Sequence, residues 1–137
     1  AKGMDPIEAA ISIIQVGGAG VASFNMNEKD IETFMVEPWV MTGSDGSGGH
    51  PRKYATYPRK IRNYVLDKPV ISMERMIQSS TAQVAEAFRI AQRGRLQEGY
   101  YADVIVFDPK TIKAEATYVE AEKLAAGMRF VLVNGIP

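Results

Sequence analysis

The spacing of apolar and polar residues predicts that the first part of the chain alternates between helices and short strands. Apolar residues three and four apart predict helices over about 6–15 and 28–35, and each is preceded by a residue that favours a helix start. Short apolar runs predict strands at 21–24 and at 39–41. A strand, a helix and a second strand within so few residues form a crossover unit, which implies parallel strands.

The expected inward face of the second helix consists of Ile31, Phe34 and Met35. Helical spacing continues from Tyr57 to Leu66. The cationic residues within that stretch are expected to form a solvated face, and they are Arg59, Lys60 and Arg62.

Two further helices are expected after this stretch. Ser72 starts the first of them, and Ser79 or Ser80 caps the second. The expected buried stripe of the second helix consists of Val84, Ala85, Phe88 and Ile90.

From Gly94 onward the sequence becomes mainly β in character. The run Val104 to Phe107 predicts a buried strand, and Asp108-Pro109 ends it. A last strand is expected over 128–133, followed by a turn at Asn134-Gly135. The carboxy-terminal third is therefore expected to be a β unit attached to an α/β portion.

Composition excludes several classes of partner and site. The chain has 137 residues with 16 basic and 16 acidic side chains, so its zero net charge argues against binding nucleic acid or an anionic membrane. The absence of cysteine excludes disulfides and thiolate metal sites, and it fits a cytoplasmic protein. No apolar run approaches the roughly 20 residues that span a bilayer, and the amino terminus lacks a signal-peptide pattern.

The stretch from Trp39 to Arg52 carries the candidate chemistry. Its apolar start predicts a strand buried on both faces, and Asp45 stands where that burial should stop. Three glycines follow, at positions 46, 48 and 49, and positive φ angles there would turn His50 and Arg52 back towards Asp45. The alternative interpretation is an ordinary polar turn, because Asp-Gly is a common turn pair.

Two sets of motifs resemble a known enzyme family. Gly94-Arg95-Leu96 with Glu98-Gly99, followed by 102–108 and 131–135, resembles the closing segment of the amidohydrolase superfamily. A narrower set resembles the D-aminoacylase or N-acyl-D-amino-acid deacylase family, and it comprises residues 39–46, His50-Pro51-Arg52 and Tyr57-Pro58-Arg59.

The resemblance implies an α/β fold and a position within it. Members of the metallo-dependent hydrolase superfamily have a (β/α)8 TIM barrel, zinc at the carboxyl ends of the strands, and a small β-sandwich. Residues 1–93 would then be the last β/α units of the barrel, and residues 94–137 would be part of the sandwich. The chain is accordingly expected to be a carboxy-terminal fragment of a deacylase.

The resemblance also implies roles for individual residues. Asp45 matches the carboxylate that takes a proton from the attacking water beside the metal, and in a complete enzyme it would also contact that metal. Arg52 matches the arginine that binds the free carboxylate of the N-acyl-D-amino acid. His50 and Ser44 are expected to lie against the substrate. These roles suit the groups, since a carboxylate can act as a general base and an arginine fork binds a carboxylate bidentately.

Zinc is expected in the full-length family but not in this fragment. The family takes its ligands from several histidines and a cysteine or modified lysine, whereas this chain has one histidine and no cysteine. A catalytic zinc needs about three protein ligands. The chain alone is therefore expected to hold no catalytic zinc and to hydrolyse no N-acyl-D-amino acid.

Two alternative functions remain open, and self-association is expected. The chain could be a non-catalytic oligomerisation or ligand-binding module derived from an amidohydrolase, or it could belong to a dihydroorotase-like cyclic amidase. The motif at 39–52 argues against the cyclic amidase. Unpaired strand edges in a barrel fragment favour association, so a homo-oligomer is expected.

Overall fold

A computed structural model of the chain describes residues 3–20 and 24–137. The helices are α1 (Pro6–Gln15), α2 (Glu28–Met35), α3 (Arg52–Ile61), α4 (Met73–Ser80) and α5 (Ala82–Ala87). A π-helical segment, Arg62–Asp67, continues α3, and the strands are β1 (Val104–Phe107) and β2 (Met128–Leu132). Among the residues described, no helix is long and apolar enough to cross a bilayer.

Side-chain caps explain where three of the helices begin. Asp5 accepts a backbone hydrogen bond of 2.9 Å from the first turn of α1, and Asn27 accepts one of 2.9 Å from that of α2. Ser72 accepts one of 3.1 Å in α4. These caps satisfy amide groups that have no partner within the helix. The predicted starts of α1, α2 and α4 are confirmed.

The start of α5 differs from the prediction. The hydroxyls of Ser79 and Ser80 both donate to the carbonyl of Met76, at 3.1 and 2.8 Å, so neither caps the next helix. Thr81 precedes α5 instead, without a side-chain cap. This backward bonding to a carbonyl three or four residues earlier is a common local alternative to capping for serine.

One apolar core joins the helices to the carboxy-terminal third. It consists of Met35, Ile61, Ile71, Met76 and Ile112, and Ile112 is completely buried. Phe107 of β1 and Met128 of β2 pack against it. The sheet is therefore held to α2, α3 and α4 by side-chain packing, and the division at residue 93/94 remains a prediction.

Several residues expected to be buried are exposed. No residue of α1 is buried, and Phe34 of α2 is 64% exposed. Phe88 and Ile90, expected in the buried stripe of α5, are 70% and 45% exposed, whereas Ala85 is buried as expected. Among the described residues, no apolar layer packs over these faces. Helical periodicity predicts which side chains share a face, but it does not predict whether another element packs against that face.

The strand predicted at 39–41 is not formed, and most of the strand predicted at 21–24 cannot be compared. Residues 21–23 lie outside the described residues, and Phe24 beside them is outside any strand. Residues 39–41 have no strand structure, and Trp39 is 69% exposed. A strand needs a neighbour for its backbone hydrogen bonds. Among the described residues the amide of Thr42 instead donates to the carbonyl of Ser79 on α4, at 2.9 Å.

The sheet that is described, between β1 and β2, is antiparallel. The parallel pairing is predicted for other residues, 21–24 and 39–41. Val104 pairs with Leu132, and the register shifts between Val106 and Phe107. The centre of β1 is open rather than buried, with Ile105 54% exposed. At the end of β2, Val133 and Ile136 form a bridge around the predicted Asn134-Gly135 turn, which is confirmed. The complete barrel and sandwich remain predictions.

Candidate active site

Asp45 and Arg52 lie together at the start of α3. The Nη2 atom of Arg52 is 2.9 Å from Oδ2 of Asp45, and the two side chains are 39% and 89% exposed. An ion pair this open to water contributes little to folding stability. The arrangement presents one carboxylate and one guanidinium at the surface, and both are available to a ligand.

The glycine loop turns at positions that differ in part from the prediction. Gly49 has the expected positive φ, +74°, but the other left-handed residue is Asp45 itself, at +46°. Aspartate tolerates that conformation better than most residues. Gly46 lies close to α3, because a Cβ atom there would be 3.1 Å from Cα of Lys53, a tight contact. The loop therefore folds back closely on the first turn of α3.

His50 and Ser44 support the loop from within. Nδ1 of His50 accepts a hydrogen bond of 3.1 Å from the amide of Arg52, and its ring meets Tyr118 edge-on at 5.2 Å. Oγ of Ser44 accepts one of 3.3 Å from the amide of Gly46. Both residues thus hold the backbone on either side of Asp45, and their contact with substrate remains a prediction.

A cavity of about 740 Å³ lies between α2, the segment 40–43 and α3. Arg52 lines it, and Nε of Arg52 is buried without an acceptor among the described residues. Arg59 and Lys60 also line it, while the apolar lining includes Ile31 and Phe34. The charged lining thus comprises three cationic groups and one carboxylate, that of Asp30. The excess of positive charge beside apolar walls suits an anion with an apolar portion.

Lys60 is predicted to lie on a solvated face, but in the structure it lines the cavity. Its Nζ donates a hydrogen bond of 2.7 Å to Oγ1 of Thr42. Burial, and then repulsion from the nearby Arg75, lowers the pKa of Lys60 below its usual value. Lys60 lies eight residues after Arg52 on the same helical stretch, so helical spacing could have placed both on one face.

The solvated-face prediction also fails for Arg62. Its Nη2 donates to the carbonyls of Pro109, Lys110 and Ile112 at 3.3, 3.1 and 2.9 Å. The side chain therefore joins the π-helical segment to the carboxy-terminal third. Arg59 is exposed, as expected.

Another titratable group in the cavity wall is Tyr64. Its partial burial raises its pKa to about 12, and the carboxylates of Glu28 and Glu32 add to the shift. Its phenol therefore stays protonated across the physiological pH range and can donate a hydrogen bond there.

The lowered pKa of Lys60 predicts a stability change at alkaline pH. Between its folded pKa and the ordinary value of 10.5, the unfolded chain binds more protons at this site than the folded chain. The free energy of unfolding should therefore rise with pH in that window. We expect Lys60→Met to remove this rise, measured by urea denaturation in steps from pH 7 to pH 10. Lys29→Met, at an exposed position, is the control and should leave the rise intact. Loss of the rise in Lys29→Met as well would contradict its assignment to Lys60.

The described residues do not form a complete zinc site. No three histidine, cysteine, aspartate or glutamate side chains come together in the parts of the chain that the structure describes. Asp45 is paired with Arg52, and a catalytic zinc takes about three protein ligands. Asp45 could therefore contribute at most one ligand residue to such a site.

Comparison with known proteins identifies the family. The amidohydrolase family profile matches residues 3–136. A D-aminoacylase from Alcaligenes xylosoxydans xylosoxydans is 38% identical over 123 residues, which cover 87% of this chain and 25% of that protein. The N-acyl-D-aspartate deacylase from the same organism is 32% identical over 132 residues, covering 93% of this chain and 26% of the relative.

Solved structures agree with this assignment. A crystal structure of D-aminoacylase superposes with a TM-score of 0.83 at 34% identity, covering 94% of this chain and 30% of that one. N-acyl-D-glutamate deacylase from Bordetella bronchiseptica, solved with zinc and a phosphonate inhibitor, gives a TM-score of 0.76 at 36% identity, covering 81% and 24%.

The chain thus spans about a quarter of the length of the relatives it matches. The match of the family profile extends over nearly all of its residues. The fold that these residues share with the solved structures is that of a metallo-dependent hydrolase. The chain belongs to the amidohydrolase family, within the D-aminoacylase and N-acyl-D-amino-acid deacylase group.

Proposed function

We propose that this chain is the part of an N-acyl-D-amino-acid deacylase that supplies a general base, Asp45, and a carboxylate-binding residue, Arg52. The observation that carries the proposal is the 2.9 Å contact between these two side chains at the start of α3. The relatives named D-aminoacylase and N-acyl-D-aspartate deacylase, at 38% and 32% identity, support the substrate class.

The proposed roles follow from the chemistry of the two groups. A free N-acyl-amino acid carries one carboxylate, and the planar guanidinium of Arg52 offers it two parallel N–H groups. The substrate carboxylate would replace Asp45 on Arg52. That exchange would free Asp45 to accept a proton from the water that attacks the amide carbonyl. The ion pair of the free chain is then a resting arrangement that substrate opens.

His50 and Ser44 take supporting roles in this proposal. His50 binds the amide of Arg52, and Ser44 binds the amide of Gly46, so both fix the loop around Asp45. We place their remaining polar atoms against the substrate. Zinc belongs to the complete enzyme in this proposal, where Asp45 would contact it and the other ligands would come from outside this chain. The isolated chain would bind no catalytic zinc and hydrolyse no substrate, and it would associate as a homo-oligomer.

Titration calorimetry tests the role of Arg52 in the chain as it stands. An N-acetyl-D-amino acid should bind the parent chain, and Arg52→Ala should lower the affinity by about 10- to 100-fold, as expected when hydrogen bonds from a charged donor are lost. Arg52→Lys should fall between the two, because lysine keeps the charge without the fork. Arg95→Ala, an exposed arginine on another surface, is the control.

The same titration discriminates among the functional alternatives. Equal affinity of the parent chain and Arg52→Ala would contradict the proposed carboxylate site and favour a non-catalytic module. Tighter binding of a cyclic amide than of the open N-acetyl-D-amino acid would favour a cyclic amidase.

A further inference from the structure

We infer that Arg75 is a positioning residue for Asp45, acting from α4 through the backbone of residues 37–42. The inference rests on the proposed function, because it matters for catalysis only if Asp45 is the base. The geometry on which it stands is independent of any substrate. No feature of the family motif marks Arg75, which lies outside residues 39–52.

Arg75 binds three backbone carbonyls of the segment 37–40 with one nitrogen. Its Nη2 donates to the carbonyls of Glu37, Pro38 and Val40, at 2.9, 3.0 and 3.0 Å. Its Nη1 donates to Oε1 of Gln83 at 2.6 Å, and Nε2 of Gln83 donates to the carbonyl of Pro38 at 2.7 Å. Arg75 and Gln83 therefore form one clamp on residues 37–40.

This clamp acts where a strand ladder is lacking. Residues 39–41 form no strand in the part of the chain that the structure describes, so side chains satisfy carbonyls that a neighbouring strand would otherwise bind. Hydrogen bonds from a charged donor are stronger than neutral ones. The course of this segment therefore depends on the guanidinium of Arg75.

A second contact carries the restraint towards Asp45. Two residues after Val40, the amide of Thr42 donates to the carbonyl of Ser79 at 2.9 Å, and Oγ1 of Thr42 accepts from Lys60. Since Ser79 and Arg75 lie one turn apart on α4, the helix holds the segment at two successive points. Asp45 follows three residues later at its left-handed turn.

The experiment uses ¹⁵N-labelled full chain and needs no substrate. In Arg75→Gln we expect the Thr42 amide to exchange with solvent about tenfold faster or more, since a charged hydrogen bond is lost nearby. The amide signals of Asp45 and Gly46, and the Nε–Hε signal of Arg52, should shift. Arg75→Lys should restore part of the exchange protection and return the signals towards their parent positions.

Arg62→Gln is the matched control. It removes a similar clamp, on the carbonyls of Pro109, Lys110 and Ile112, and it should lower stability without moving the Asp45 and Gly46 signals. Unchanged Asp45 signals in Arg75→Gln, or equal shifts in both variants, would overturn the inference.

A second variant keeps the test decisive if Arg75→Gln does not fold. Gln83→Leu removes the partner of Arg75 and the second donor to Pro38, and it should shift the same Asp45 and Gly46 signals by a smaller amount. No shift in Gln83→Leu would overturn the inference. The two proposals can fail separately. If Arg52→Ala binds the N-acetyl-D-amino acid as tightly as the parent chain, but the Asp45 and Gly46 signals shift in these variants, the proposed function is rejected and the positioning role of Arg75 stands.

Discussion

Gly127→Ala is expected to lower the free energy of unfolding by about 4 kcal/mol or more, which is at the upper end for single substitutions. Gly127 has a φ of +79°, and a Cβ atom there would lie 2.4 Å from the nitrogen and 2.6 Å from Cα of Ile112. These are backbone atoms of a completely buried residue, so no flexible side chain can move aside. The carbonyl of Gly127 also accepts from the amide of Asp108 at 2.9 Å, which ties it to the same turn.

Gly135→Ala separates the steric clash from the cost of the backbone conformation. Gly135 has the same φ, +79°, but the nearest atom to its Cβ would be Cβ of Ala102 at 3.7 Å. The left-handed conformation alone should cost about 1 to 2 kcal/mol. Urea denaturation followed by circular dichroism measures both variants. Equal losses in Gly127→Ala and Gly135→Ala would show that the contact with Ile112 does not decide the effect.

The helices could be predicted from the sequence because their signals are local. Asp5, Asn27 and Ser72 each bond within three residues of themselves, so a short window of sequence contains the whole cause. The apolar run at 39–41 has the composition of a strand, but a strand depends on a neighbour that composition does not supply. Phe34 shows the same limit, because its helical spacing places it on the apolar face of α2 but the side chain is exposed. Periodicity does not predict whether another element packs against that face.

The candidate site likewise has features that the local sequence predicts and features that it does not. The contact of Asp45 with Arg52 could be anticipated, because glycines between them allow a short chain to fold back. The left-handed turn at Asp45 and the packing of Gly46 on Lys53 are details of that fold that a count of glycines does not give. The contacts of Arg75 and Lys60 have no local signal in the sequence, because their acceptors on Val40 and Thr42 lie 35 and 18 residues away. The acceptors of Arg75 on residues 37–40 are also backbone carbonyls, which leave no side-chain pattern.

Asp45→Asn should have the largest effect on catalysis once the chain is placed in a complete enzyme. In a chimera, this chain replaces the matching quarter of the Alcaligenes D-aminoacylase, to which it is 38% identical. Under the proposed function, asparagine keeps the size of the side chain and can still accept a hydrogen bond from Arg52, but it cannot take a proton. Loss of a general base typically lowers kcat by about 10²- to 10⁴-fold.

The split between kcat and KM makes this prediction specific. Asp45→Asn should lower kcat and kcat/KM together, because proton transfer occurs only in the transition state. Arg52→Ala should instead raise KM strongly, since it removes binding to the substrate carboxylate. Glu122→Gln, at an exposed carboxylate, is the control and should change neither constant. Wild-type kcat in the Asp45→Asn chimera would exclude Asp45 as the base, because no group at that position could then be accepting the proton of the attacking water.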